Sequence, residues 1–128
     1  MRQLNIHNNS SKNRIADTAE YKALLEAATI KHLDDKQEKQ LLKAIRNGDK
    51  NAIPRLVESW EVIILSVMKR YDLKKSILQE AFDAAKEALT RFAEWELHSE
   101  ARERFFRFGV WVVQQTIFKI KAEKPDAE

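Results

Sequence analysis

The sequence predicts an all-α fold, a compact bundle of about five helices resembling no open-sheet architecture. Three observations carry that prediction. Apolar residues recur at three- and four-residue intervals through most of the chain, the spacing that puts side chains on one helical face. Two glycines and two prolines in 128 residues leave little turn punctuation, which favours few, long helices. No stretch alternates apolar and polar residues with period two over the length of a strand.

Residues 1–16 are polar and rich in Asn and Ser, and read as a flexible N-terminal arm. A helical domain then spans 17–123, with a short C-terminal tail at 124–128. Asp17-Thr18-Ala19-Glu20 reads as a helix start, with Asp17 as cap and Glu20 reaching back. Tyr21, Leu24, Leu25 and Ala28 form the apolar stripe of this first helix. Asp34 caps a second helix whose stripe is Leu41, Leu42 and Ile45, and Gly48 ends it in the left-handed conformation that glycine adopts cheaply. Asp49 or Asn51 caps the third helix, and Pro54 is tolerated in its first turn. That helix runs through Leu56, Val57, Trp60, Ile63, Ile64, Val67 and Met68 to Tyr71. It is apolar over most of its circumference between Val62 and Met68, so it is expected at the centre. Ser76 with Gln79 forms a capping box for a fourth helix reaching about Leu97. Ile77, Leu78, Ala81, Phe82, Ala85, Ala88, Leu89 and Phe92 line one side of it, and Glu80, Asp83, Lys86, Glu87 and Arg91 lie largely on the other. Ser99 caps the last helix and Pro125 stops it.

Composition bounds the function. The length is that of one domain with its own core. With 44% hydrophobic and 34% charged residues, the chain is globular rather than disordered. No cysteine means no disulfide framework and no thiolate metal site, in keeping with a reducing, cytoplasmic location. Apolar runs such as Val62–Leu65 are far too short to span a bilayer, and the N-terminus lacks an apolar signal core. Lys and Arg total 23 against 20 Asp and Glu, a net charge of +3. So slight an excess means that any nucleic-acid contact comes from a local patch, and it equally permits a protein partner.

The sequence offers little for catalysis. The histidines His7, His32 and His98 are dispersed, and none sits in the Glu-x-x-His spacing of a di-iron bundle. Ser99 adjoins His98 in sequence, but a nucleophile and its base must face each other. Two glycines cannot build a phosphate loop. The reading is of a non-enzymatic protein with no metal and no cofactor.

Glu103–Ile120, ERFFRFGVWVVQQTIFKI, is the stretch that suggests chemistry. Phe105, Phe106 and Phe108 precede Trp111, with Arg102, Arg104 and Arg107 interleaved and Gln114 and Gln115 following. At helical spacing Phe105, Phe108, Trp111, Val112 and Gln115 fall near one stripe. Aromatic faces accept unstacked bases, arginines pair with phosphates, and glutamine reads a base edge. The same pattern also describes an amphipathic helix turned to the core. Glu80, Asp83 and Glu87 form an acidic row, which is either a solvated face or a docking face.

Four segments, in order, resemble region 2 of bacterial RNA polymerase sigma factors. EKQLLKAIRNGDKNAIPRLVE (Glu38–Glu58) resembles the segment that precedes region 2, and VIILSVMKRY (Val62–Tyr71) its buried first helix. ILQEAFDAAKEALTRF (Ile77–Phe92) resembles the helix with Asp-Leu-Ile-Gln-Glu-Gly that docks on the polymerase clamp. FFRFGVWVVQQTI (Phe105–Ile117) resembles the promoter-melting helix, which carries an aromatic pair and then Trp-Trp-Ile-Arg-Gln. The resemblance covers roughly Asp17 to Lys121.

This resemblance implies a transcription initiation factor with two partners: the clamp helices of core RNA polymerase, and promoter DNA, mainly single-stranded. An anti-sigma-type protein is a further partner that it implies. It assigns Gln79, Glu80, Phe82, Asp83 and Lys86 to the polymerase. It assigns Phe92, Arg104, Phe105, Arg107, Phe108, Trp111, Gln114, Gln115 and Lys119 to DNA of the proximal, minus-ten type element. There are departures. Val112 replaces the second tryptophan, Gln114 the arginine before the glutamine, and Phe118 a polar residue. Ala81 and Phe82 replace glycine and asparagine in the clamp helix, and Glu103 stands where an aromatic usually leads. No counterpart of the downstream promoter-reading domain follows, so the chain reads as a fragment or a stand-alone region 2. The alternative expectation is a sigma-like regulatory or decoy protein that has lost promoter melting.

Overall fold

The helices follow from caps and apolar stripes, and the computed structural model describes residues 15–97 and 105–123. Six α-helices form: α1 (Ala19–Lys31), α2 (Asp35–Arg46), α3 (Ala52–Ser59), α4 (Glu61–Arg70), α5 (Leu78–Leu97) and α6 (Phe105–Glu123). Single 3₁₀ turns precede α1 (Ile15–Asp17) and α5 (Lys75–Ile77). Since α3 and α4 are the halves of one predicted helix, the all-α bundle of about five helices is what the structure shows. The expected cap Ser99 and stop Pro125, and the terminal segments, lie outside the described residues.

The second helix starts as expected. Asp34 accepts from the Gln37 amide at 2.7 Å and Gln37 Oε1 accepts from the Asp34 amide, closing a capping box. Gly48 ends it at φ 101°, in the left-handed region. At the first helix the cap is Thr18, not Asp17: the Thr18 hydroxyl accepts from the Tyr21 amide at 3.1 Å. The 3₁₀ turn consumes Asp17 and delays the helix by one residue. The Ser76–Gln79 capping box does not form either. A 3₁₀ turn occupies its place, and Gln79 Nε2 donates to Asp83 Oδ1 at 3.0 Å instead.

The predicted third helix breaks at Trp60, whose backbone sits at φ −90°, ψ −1°. The break has a local cause. The Trp60 amide donates to Val57 O, a tightened turn, and the buried Ser59 hydroxyl donates to Leu56 O at 2.7 Å. This redirection carries the indole into the core, where Trp60 is 1% exposed.

The two halves and α5 share the centre. Leu56, Ile64, Leu65 and Met68 are fully buried, and Ala81, Phe82, Ala85, Leu89 and Ala93 present the matching face of α5. Helix α1 packs on α4 and α3, α2 on α3 and α5, and α6 most extensively on α5. The buried Tyr21 hydroxyl donates to Leu65 O at 2.8 Å, and burial pushes its phenol above the ordinary value. Arg55 Nη1 donates to Lys31 O at 3.0 Å, capping the last turn of α1.

Helix α6 docks through rings and one glycine. Phe105 meets Trp60 edge-on at 5.1 Å between centroids, and stacks on Phe92 of α5 at 5.4 Å. A Cβ at Gly109 would lie 2.8 Å from the Trp60 indole, so this position admits no side chain at the present helix spacing. Trp60 Nε1 donates to Glu38 Oε2 at 2.7 Å, and cannot swing away without losing that bond.

Gly109→Ala is expected to lower the thermal midpoint although alanine is the better helix former, because overpacking costs roughly 1–3 kcal/mol. The penalty should shrink in a Trp60→Phe background, which removes the obstructing ring. A double-mutant cycle by thermal denaturation measures this, and an additive cycle would refute the contact.

Candidate nucleic-acid and protein interface

The aromatic helix presents two faces. Phe105, Gly109, Val113, Ile117 and Ile120 are buried. They recur at i, i+4, i+8, i+12 and i+15, the stripe against α4 and α5. On the opposite side Arg107, Trp111, Gln115, Phe118 and Lys119 are exposed. Trp111 is 56% exposed, although tryptophan is a residue that cores usually retain. Phe108, Val112 and Gln114 border this ridge, half-buried.

The predicted stripe is therefore divided. Trp111 and Gln115 share the open ridge with Arg107 and Lys119, as a nucleic-acid contact requires. Phe105 does not: at 1% exposure its ring is sealed between Trp60 and Phe92, and it offers no face to a base. Phe92 is half-buried and stacks with Phe105 and with Trp95, the latter at 5.7 Å. The outer end of this ring stack is Trp95, 53% exposed. Arg104 lies outside the described residues.

On α5, Gln79, Glu80, Asp83 and Glu87 are exposed along one side. The acidic row is thus a surface feature, with Glu87 paired to Arg91 at 3.2 Å. Two expected members of the polymerase face are placed elsewhere. Phe82 is 3% exposed and belongs to the core, because its register on α5 coincides with the buried stripe of Leu78, Ala85 and Leu89. Lys86 is half-buried, with its ammonium 3.0 Å from Glu61 Oε2 and 5.2 Å from the Phe82 ring centroid.

Glu61 is the charged group that sequence reading missed. It opens α4 and is 4% exposed, held by Lys31 of α1 at 2.8 Å and by Lys86 of α5 at 3.0 Å. Burial pushes its carboxyl up, but hydrogen bonds from the two ammonium groups and their positive charge more than offset this. The net result lies below the usual carboxylate value. A lone glutamate amid Trp60 and Val62 was the available signal, since an acid in an apolar stretch needs a cation. An open cleft of about 330 Å³ lined by Pro54, Val57, Glu58, Thr90 and Glu87 borders this group. Among the described residues, no group of three or more His, Asp or Glu could hold a metal, and no helix is long and apolar enough to cross a membrane.

In comparisons with known proteins, no family model, curated protein or solved structure matches the chain. What the fold and site define is a class: an all-α bundle carrying an aromatic and basic ridge on one helix and an acidic row on another.

Two measurements test this geometry. Phe105→Ala should cost about 3–5 kcal/mol of stability, whereas Trp111→Ala should leave the thermal midpoint nearly unchanged. Glu61→Gln should cost roughly 1–3 kcal/mol at neutral pH, below a fully buried pair because both lysines reach solvent. Because the folded carboxyl is depressed, its stabilisation is complete above the ordinary carboxylate range and is lost as pH falls through the folded value. Denaturation midpoints of wild type and Glu61→Gln should therefore converge on acidification; a gap that persists or widens would contradict the ion triad.

Proposed function

We propose that the chain is a sigma-type transcription factor that binds core RNA polymerase through the polar side of α5 and unpaired promoter DNA through the α6 ridge. The observation that carries this reading is Trp111, held open to solvent on the same ridge as Arg107, Gln115 and Lys119. A stacked base on an indole contributes roughly 1–3 kcal/mol, enough to offset extruding one base. The cations would neutralise phosphates on either side, and Gln115 has the donor and acceptor to read an adenine edge. Gln79, Glu80 and Asp83 supply the polymerase contact, with neither Phe82 nor Lys86 required. The ordered resemblance of four segments to sigma region 2 supports the same assignment.

A second reading is favoured by one observation, the burial of Phe105. With that ring in the core, the described ridge has fewer stacking faces than the resemblance implied. A sigma-like regulator or decoy would keep the polymerase contact and lack promoter melting.

One set of binding measurements separates them. Core polymerase should retain the wild-type chain at micromolar concentration, and Glu80→Lys with Asp83→Lys should weaken retention at least tenfold. Trp111→Ala should reduce single-strand affinity about 5- to 100-fold, and by more than Lys119→Gln does. Equal losses would point to charge alone. Polymerase binding with no strand affinity would select the regulator, and no polymerase binding would end both readings.

A further inference from the structure

Phe118 lies on the same ridge as Trp111 and is 58% exposed. Single exposed apolar residues are ordinary, but this one is held in place. Its ring meets that of Tyr71, at the end of α4, at 5.7 Å and 56°. The Tyr71 backbone is itself tied to α6, because Lys121 Nζ donates to Tyr71 O at 2.8 Å. The ring pair is therefore anchored from two helices, with Tyr71 half-buried beneath and much of Phe118 left open.

The surroundings are cationic. Lys69 and Arg70 precede Tyr71, and Lys119 and Lys121 follow Phe118, all four exposed; Asp72 and Glu123 are the acidic residues of the two stretches. Protein-docking surfaces are depleted in lysine relative to the rest of the surface, whereas Lys69, Lys119 and Lys121 border these rings. Rings bordered by cations suit a ligand with flat faces and a charged backbone. Phe118 stands seven residues beyond Trp111, which in a helix is roughly 10 Å along the axis and about 20° around it. At the ~3.4 Å per nucleotide of a stacked strand, that is about three nucleotides.

We propose that Phe118, supported by Tyr71, is a second stacking platform for an unpaired nucleic-acid strand that also crosses Trp111, with Lys69, Arg70 and Lys119 neutralising its phosphates. This rests on the strand-binding reading of α6 and extends it to a second station. It gives the phenylalanine a role distinct from the polar residue expected there.

Fluorescence anisotropy with a labelled 12-nucleotide DNA strand, its RNA counterpart and the DNA duplex tests the platform. Phe118→Ala should reduce single-strand affinity about 5- to 100-fold, and Phe118→Tyr, which keeps the ring, should retain it. Both should fold with an unchanged thermal midpoint. Lys69→Gln and Arg70→Gln should each lower the salt slope of strand binding by about 0.7. Binding of either strand chemistry supports the platform, and preference for one names the ligand. Full strand affinity in Phe118→Ala alongside a loss in Trp111→Ala would overturn the platform and leave the Trp111 site standing. Equal losses on strand and duplex, or a loss confined to polymerase binding, would also overturn it. Absence of strand binding by the wild-type chain would remove both this proposal and the reading beneath it.

Discussion

The structure depends on the packing of one indole. Trp60 stands where a long apolar helix breaks into α3 and α4, and its ring is reached from several elements. Glu38 of α2 accepts its N–H, Phe105 of α6 meets it edge-on, and Gly109 of α6 yields the space its outer carbons occupy. Phe92 extends the ring contacts to α5 through Phe105. A buried tryptophan needs both apolar neighbours and an acceptor for its N–H, and here both demands are met by residues far apart in sequence. Interiors pack at crystal-like density, so such a ring sets the spacing and rotation of the helices around it.

The rotation of α6 is the consequence that matters for function. Since Phe105 and Gly109 face Trp60, the residues roughly half a turn away around the helix face solvent. Trp111, Gln115 and Phe118 are thereby placed outward with Arg107 and Lys119. The open tryptophan is not a packing failure. It is what remains when a helix apolar on two sides commits one side to the core.

Electrostatics divides the remaining labour. Lys86 looked like a member of the polar face of α5, yet Glu61 draws it inward, and Lys31 completes the triad that joins α1, α4 and α5. The acidic residues left on the α5 surface and the cations left on α6 are then separate fields on one small domain. The proposed function assigns a protein partner to the first field and a polyanion to the second.

Much of the fold was legible in the sequence. The stripes of Tyr21 and Ala28, of Ile45, and of Leu78 through Leu89 are buried as their spacing demanded, and Asp34 and Gly48 bound α2 as their chemistry demanded. These are local properties, set by helical period, hydrogen-bonding side chains and the left-handed freedom of glycine. The break at Trp60, the choice of Thr18 over Asp17, the sealing of Phe105 and the recruitment of Lys86 were not legible. Periodicity states which residues share a face, but on α6 and around Trp60 more than one face is apolar, and a salt partner is named by proximity across helices. There the tertiary structure decided, because a ring without room and a buried carboxylate without a cation are both too costly to leave unresolved.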